Sequence, residues 1–250
     1  MNWNDVMGLV STVSLSLPIL TMIAMGLAGY RSFPALVIYY VIVVFYNMLT
    51  QGYVQADKSF IFNFGVANNL LDAPLMLLFL SYFSPTPRLK KRMDILVAIF
   101  VSFEIAVLIT FGFTVKAITI IMAPGFLMIL GFCIPFFVRQ TKITISHHKA
   151  MGKAMITASL LFAYGCYAII YVMYYLMDIR NEEDTFLVYF FVTTLSSLLM
   201  SAGIIIERKR IKKLSELKVV RKELSELYAN EKTAAPLKAA VFDFDKEQWN

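Results

Sequence analysis

The chain has 250 residues, of which 59% are hydrophobic and 16% charged, with a formal net charge of +6. Soluble domains run nearer 45–50% apolar and about 25% charged, so a soluble globule and general disorder are both excluded. The positive charge does not indicate nucleic-acid binding, because the basic residues collect in particular loops, and the two cysteines, Cys133 and Cys166, lie inside apolar runs and form no disulfide framework.

Seven apolar segments follow in chain order: 5–30, 34–51, 60–84, 93–114, 115–138, 152–177 and 185–206. Each can cross a hydrocarbon core of about 30 Å at about 1.5 Å per helical residue. The first lacks a basic leader and an A-x-A-like cleavage site, so it reads as a retained span. The break between the fourth and fifth rests on Phe113-Thr114-Val115-Lys116, which carries one charge and could instead be a kink. Loop charge alternates. Arg31, then Arg88, Lys90, Lys91 and Arg92, then Arg139, Lys142, Lys149 and Lys153, then the run Arg208 to Lys213 fall on one side. The other loops hold Asp57 with Lys58, Lys116, and the acidic run 178–184. The positive-inside rule then places the N-terminus outside and the C-terminus in the cytoplasm, which requires an odd number of spans. The expected fold is all-α, a polytopic bundle of seven transmembrane helices over 1–206 with a cytoplasmic C-terminal helix.

That helix, 207–230, is basic, with Leu217, Val220, Leu224 and Leu227 in a heptad-like stripe. It suits either a partner helix or an anionic lipid surface. The remainder, 231–250, contains Pro236 and mixed charge and reads as a flexible or partner-docked tail. The expected partners are the lipid bilayer and, through 207–250, a second copy or a cytoplasmic protein, with no nucleic acid. Compact loops favour a bacterial inner (plasma) membrane.

Charged side chains deep in a membrane cost about 2.5–3.5 kcal/mol on insertion scales and tend to mark sites. Asp72 lies near the middle of the third span and Glu104 near the middle of the fourth, a pair that is either ligand-binding and proton-sensitive or an interhelical hydrogen bond. Asn68 shares a helix face with Asp72, and Asn69 lies beside it. With Asn47, Gln51, Thr193, Thr194 and the serines after them, they suggest a polar core between the second, third and seventh helices. Tyr164, Tyr167, Tyr171, Tyr174 and Tyr175 line one face of the sixth span, as a planar apolar ligand or ordinary packing would require. Pro74 and Pro124 bend their spans. His147 and His148 are adjacent and have no metal-ligand spacing. No nucleophile–base pair, phosphate loop or metal motif is visible, so the chain reads as a non-enzyme.

Leu70-Leu71-Asp72-Ala73-Pro74-Leu75-Met76-Leu77-Leu78 resembles the third helix of microbial (type 1) rhodopsins. Phe162-Ala163-Tyr164-Gly165 looks like that family's aromatic retinal wall, and Glu104 lies where the family often has a carboxylic acid. Thr194-Leu195-Ser196-Ser197-Leu198 is similar to the segment carrying the retinal lysine. The resemblance puts Leu198 at the lysine position, Thr194 and Asn68 at counterion positions, Gly65 at an arginine and Phe79 at a proton donor. It covers most of the chain by topology but only short stretches by residue. With no lysine in the seventh span, covalent retinal and light-driven pumping do not carry over. With the seven-span topology, Asp72 with Glu104 and the basic helix, the resemblance suggests a rhodopsin-like sensor or signal-coupling protein whose pocket binds a non-covalent apolar ligand, retinal or carotenoid-like, or responds to protonation, through Asp72, Glu104, Asn68, Asn69, Tyr164 and Thr194. A transporter or channel, or a structural or assembly subunit of a membrane complex, are the alternatives.

Overall fold

The computed structural model describes the backbone of residues 3–147, 149–173 and 182–230, and the side chains of 6–147, 149–173 and 187–225. The acidic stretch 178–181, Tyr174, Tyr175, His148, Leu227 as a side chain and the tail 231–250 lie outside these limits. Seven helices carry the fold: α1 (Trp3–Ala24), α2 (Phe33–Thr50), α3 (Lys58–Leu80), α4 (Pro87–Phe111), α5 (Val115–His147), α6 (Met151–Tyr171) and α7 (Glu182–Asn230). All seven contain stretches long and apolar enough to cross a membrane. The chain is a seven-helix membrane bundle.

The helix boundaries have local causes. α4 starts with Pro87, whose missing N–H costs nothing in a first turn, and Thr86 accepts a hydrogen bond from the Leu89 N–H at 3.2 Å. Its end settles the fourth-to-fifth question. Gly112 adopts φ +65°, a left-handed value that terminates the helix, and the Thr114 hydroxyl accepts from the Ala117 N–H at 3.3 Å to start α5. The two spans are separate helices, and the signal was Gly112 rather than the four residues after it.

α1 packs on α2 and α7, α2 on α3, α3 on α5, α5 on α6, and α6 on α7, so six helices close a ring. α4 sits outside this ring against α3 and α5. Its outward face carries Ile95, Ile99, Ile105 and Ile109, the last 81% exposed, as suits a helix surrounded by lipid. Aromatic packing at one end ties α2 to the end of α3: Phe33, Phe79, Tyr82 and Phe83 meet edge to face at 5.2–5.7 Å.

Two departures from the sequence reading concern α7 and the polar core. α7 is one helix of 49 residues, about 74 Å at the usual rise. Its packed part runs past residue 206, since Glu207 is fully buried and Ile211 belongs to the core. The polar groups of α2 and α7 pair through α1. Asn47 of α2 donates to the Thr12 hydroxyl of α1 at 2.8 Å, and Ser11 of α1 bonds Thr193 of α7 at 2.9 Å. α1 stands between these two pairs.

Candidate functional site

α3 and α6 bring Asp72 and Tyr164 together across the ring, and the Tyr164 hydroxyl donates to the Asp72 carboxylate. Tyr164 is 1% exposed, whereas Asp72 is half-buried. The hydrogen bond supplies a partner that lipid cannot, which is what lets a carboxylate sit at this depth. Further rings surround it. Phe126 of α5 meets Tyr164 edge to face at 6.1 Å, Tyr167 lies 6.0 Å from Tyr164, and Tyr167 meets Tyr189 of α7 at 5.7 Å. Tyr39 and Tyr40 of α2 complete the wall.

Between these rings and Ser159, Ser196 and Ser197 lies a cavity of about 10 Å³. That is the room of a single water molecule. A larger apolar ligand requires the tyrosine rings to move apart. On α6 and α7 the hydroxyls are partly committed, because Ser159 donates to the Ser196 carbonyl at 2.7 Å.

Glu104 stands behind Asp72 on the peripheral helix. It is 5% exposed, its Oε1 has no hydrogen-bond partner among the described residues, and Asp72 is the charge that acts on it. Backbone approach explains how α4 comes so near. A Cβ built on Gly125 of α5 falls 3.1 Å from the Ala73 Cβ and 3.4 Å from Phe100, one turn before Glu104. The carboxyl group thus has an unmet hydrogen-bonding capacity in an apolar setting, which a water or a polar ligand group could meet.

The remaining sequence-predicted positions scatter. Asn68 is half-buried one turn from Asp72. Asn69 donates to the Gly65 carbonyl of its own helix at 2.9 Å, so its amide is spent locally. Among the described residues the buried Thr194 hydroxyl has no partner. Leu198, the lysine position of the rhodopsin register, is 46% exposed. At about 100° per residue the inward group at that depth is its neighbour Ser197, 1% exposed, so a side chain at 198 points away from the cavity. Among the described residues no three His, Cys, Asp or Glu side chains come together as metal ligands would.

A second cluster escaped the sequence reading. Where α7 leaves the ring, the buried Glu207 carboxylate takes two hydrogen bonds from Arg210, from Nε at 2.9 Å and Nη2 at 2.5 Å, and one from the Tyr82 hydroxyl. The Lys153 ammonium lies 4.7 Å from the centre of the Tyr82 ring. Ser32 and Ser81 bond at 3.1 Å, joining the α1–α2 and α3–α4 turns at the same end. The charged run Glu207-Arg208-Lys209-Arg210 looks solvated in sequence, and only the i,i+3 spacing of Glu207 and Arg210 hinted otherwise. Compared with family models, curated proteins and solved structures, the chain matches none.

Proposed function

We propose that this chain is a rhodopsin-like membrane sensor or signal-coupling protein without a covalent chromophore. A change of protonation or a small ligand at Asp72 and Tyr164 alters the ring, and α7 passes the change outward. In this reading the N-terminus lies outside and the projecting part of α7 lies in the cytoplasm, in a bacterial plasma membrane. The observation that carries the reading is the continuity of α7. One unbroken helix lines the cavity with Ser196 and Ser197, anchors at Glu207, and projects beyond the bundle with 212–225 exposed. A rigid element touching both levels can transmit a shift that a jointed one would absorb. The cavity, with room for one water, favours a proton or a small polar group over a polyene in the packed conformation.

The test is Asp72→Asn, which fixes the neutral form of the side chain. Spin labels at positions 90 and 217 would report the distance between the α4 start and the projecting helix. The reading expects a changed distance distribution in Asp72→Asn and an unchanged one in Asp57→Asn. Identical distributions in wild type and Asp72→Asn would reject it. A second reading, an assembly subunit, is favoured by the apolar residues left uncovered on the projection, Leu217, Val220 and Leu224, at 45–49% exposure. Truncation after residue 211 would abolish complex formation in that case while leaving the bundle folded.

A further inference from the structure

Lys153 is 3% exposed, and among the described residues no hydrogen bond or ion pair holds its ammonium. Among the described residues it lies against the Tyr82 ring face. The charges acting most strongly on it are three cations, Arg210, Arg31 and Arg139, and a single anion, Glu207. Glu207 is already engaged by Arg210 through two hydrogen bonds and by Tyr82 through a third. Its charge therefore offsets Arg210, and among the described residues no carboxylate pairs with Lys153, Arg31 or Arg139. Arg139 repeats the pattern, since its Nη1 is buried and unpartnered. The next residue, Gln140, is fully buried with both amide atoms unpartnered. A buried cation whose neighbours are cations is strongly unfavourable, and native chains resolve that by pairing it.

Depth identifies the missing anion. Lys153 lies in the first turn of α6, at the end of its apolar stretch, and Arg31 lies in the adjoining α1–α2 turn. The two arginines offer planar forks and Lys153 a point charge, a donor set suited to phosphate oxygens. Basic recesses between transmembrane helices at headgroup level are where phosphate-bearing lipids dock. We propose that this end of the bundle binds a phosphate group, with Lys153 as its innermost ligand and Arg139 and Arg31 closing over it. The group is either the headgroup of an anionic phospholipid or a free phosphate. The inference stands apart from the role of Asp72 and survives if that role fails.

The test uses the full chain, delipidated in an uncharged detergent, with its thermal midpoint as readout. In one arm phosphatidylglycerol or phosphatidylcholine is added back. In the other, inorganic phosphate is titrated against chloride at equal ionic strength. A rise with phosphatidylglycerol alone assigns a lipid headgroup, and a saturating rise with inorganic phosphate assigns a free phosphate. Both support the site. Lys153→Met should weaken the apparent affinity roughly fivefold or more. Lys153→Arg, which keeps the charge, should retain it, and Lys90→Met at an exposed position should match wild type. If neither anion raises the midpoint, or if Lys153→Met folds and responds as wild type does, the proposal is overturned. Should Lys153→Met fail to fold, Arg139→Gln provides the same comparison.

Discussion

The α6–α7 seam makes the sharpest quantitative prediction, because one substitution at two positions of the same helix should have opposite signs. Gly152 and Gly203 let these helices touch. A Cβ added at Gly152 would lie 2.5 Å from the Glu207 backbone nitrogen and 2.7 Å from its Cα. Carbon contacts relax at about 3.5–4.0 Å, so α7 must move by about 1 Å, and what is struck is backbone rather than a flexible side-chain end. Gly203 offers no slack, its added Cβ falling 2.8 Å from Ile156 Cγ1. Overpacking of this kind costs about 1–3 kcal/mol, while alanine recovers about 0.5–1 kcal/mol of helix propensity. Gly152→Ala should therefore lose up to about 2.5 kcal/mol net. Gly165, further along α6, has nothing within 4 Å of an added Cβ. Gly165→Ala should gain about 0.5–1 kcal/mol. Unfolding by sodium dodecyl sulfate in mixed micelles, followed by circular dichroism, gives both differences on one scale. The packing is refuted if Gly152→Ala proves as stable as Gly165→Ala.

Other outcomes follow from the two polar clusters. A double-mutant cycle of Tyr164→Phe with Asp72→Leu should return a coupling of about 0.6–1.7 kcal/mol, the range of hydrogen bonds inside membrane bundles, in the same unfolding assay. A coupling indistinguishable from zero would mean the two side chains do not pair. Glu207→Ala strips the anion from a buried pair and should cost about 3–5 kcal/mol, whereas Glu216→Ala on the exposed projection should be neutral. Proteolysis in detergent should cut Glu207→Ala at its basic run 208–213 faster than wild type, and equal rates would count against the anchor. Asn47→Leu should lose only about 0.5–1 kcal/mol, because the Thr12 hydroxyl keeps its own bond to the Gly8 carbonyl at 2.8 Å.

Hydropathy made the spans legible because each needs about 20 apolar residues whatever its neighbours. Loop charge also forecast which turns share an end, and Tyr82, Lys153 and Glu207 do meet there. What hydropathy could not carry was azimuth and neighbour choice. Lipid and protein interior are equally apolar, so a membrane helix shows little amphipathic contrast to reveal its buried face. Hence hydropathy did not show that Asn47 and Thr193 pair through α1, or that Ser197 rather than Leu198 faces the cavity.

The same physics explains which site residues could be read. Asp72 and Tyr164 each stood out alone, Asp72 as a carboxyl within an apolar run and Tyr164 as part of an aromatic face. Their pairing, across 92 positions, depends on α3 and α6 facing each other over the ring, and Glu104 was the natural rival partner by depth. Placing α4 outside the ring decided between them: Asp72 turns inward to Tyr164, and Glu104 is left with an unpartnered oxygen. Glu207 was hidden for the opposite reason. Composition assigns a run of four charges to water, but Gly152 brings the α6 backbone so close that Glu207 is enclosed, and Arg210 and Tyr82 then compensate it. A glycine 55 positions away thus turns a residue that reads as solvated into the anchor of the longest helix, and only the packed geometry of α6 on α7 contains that information.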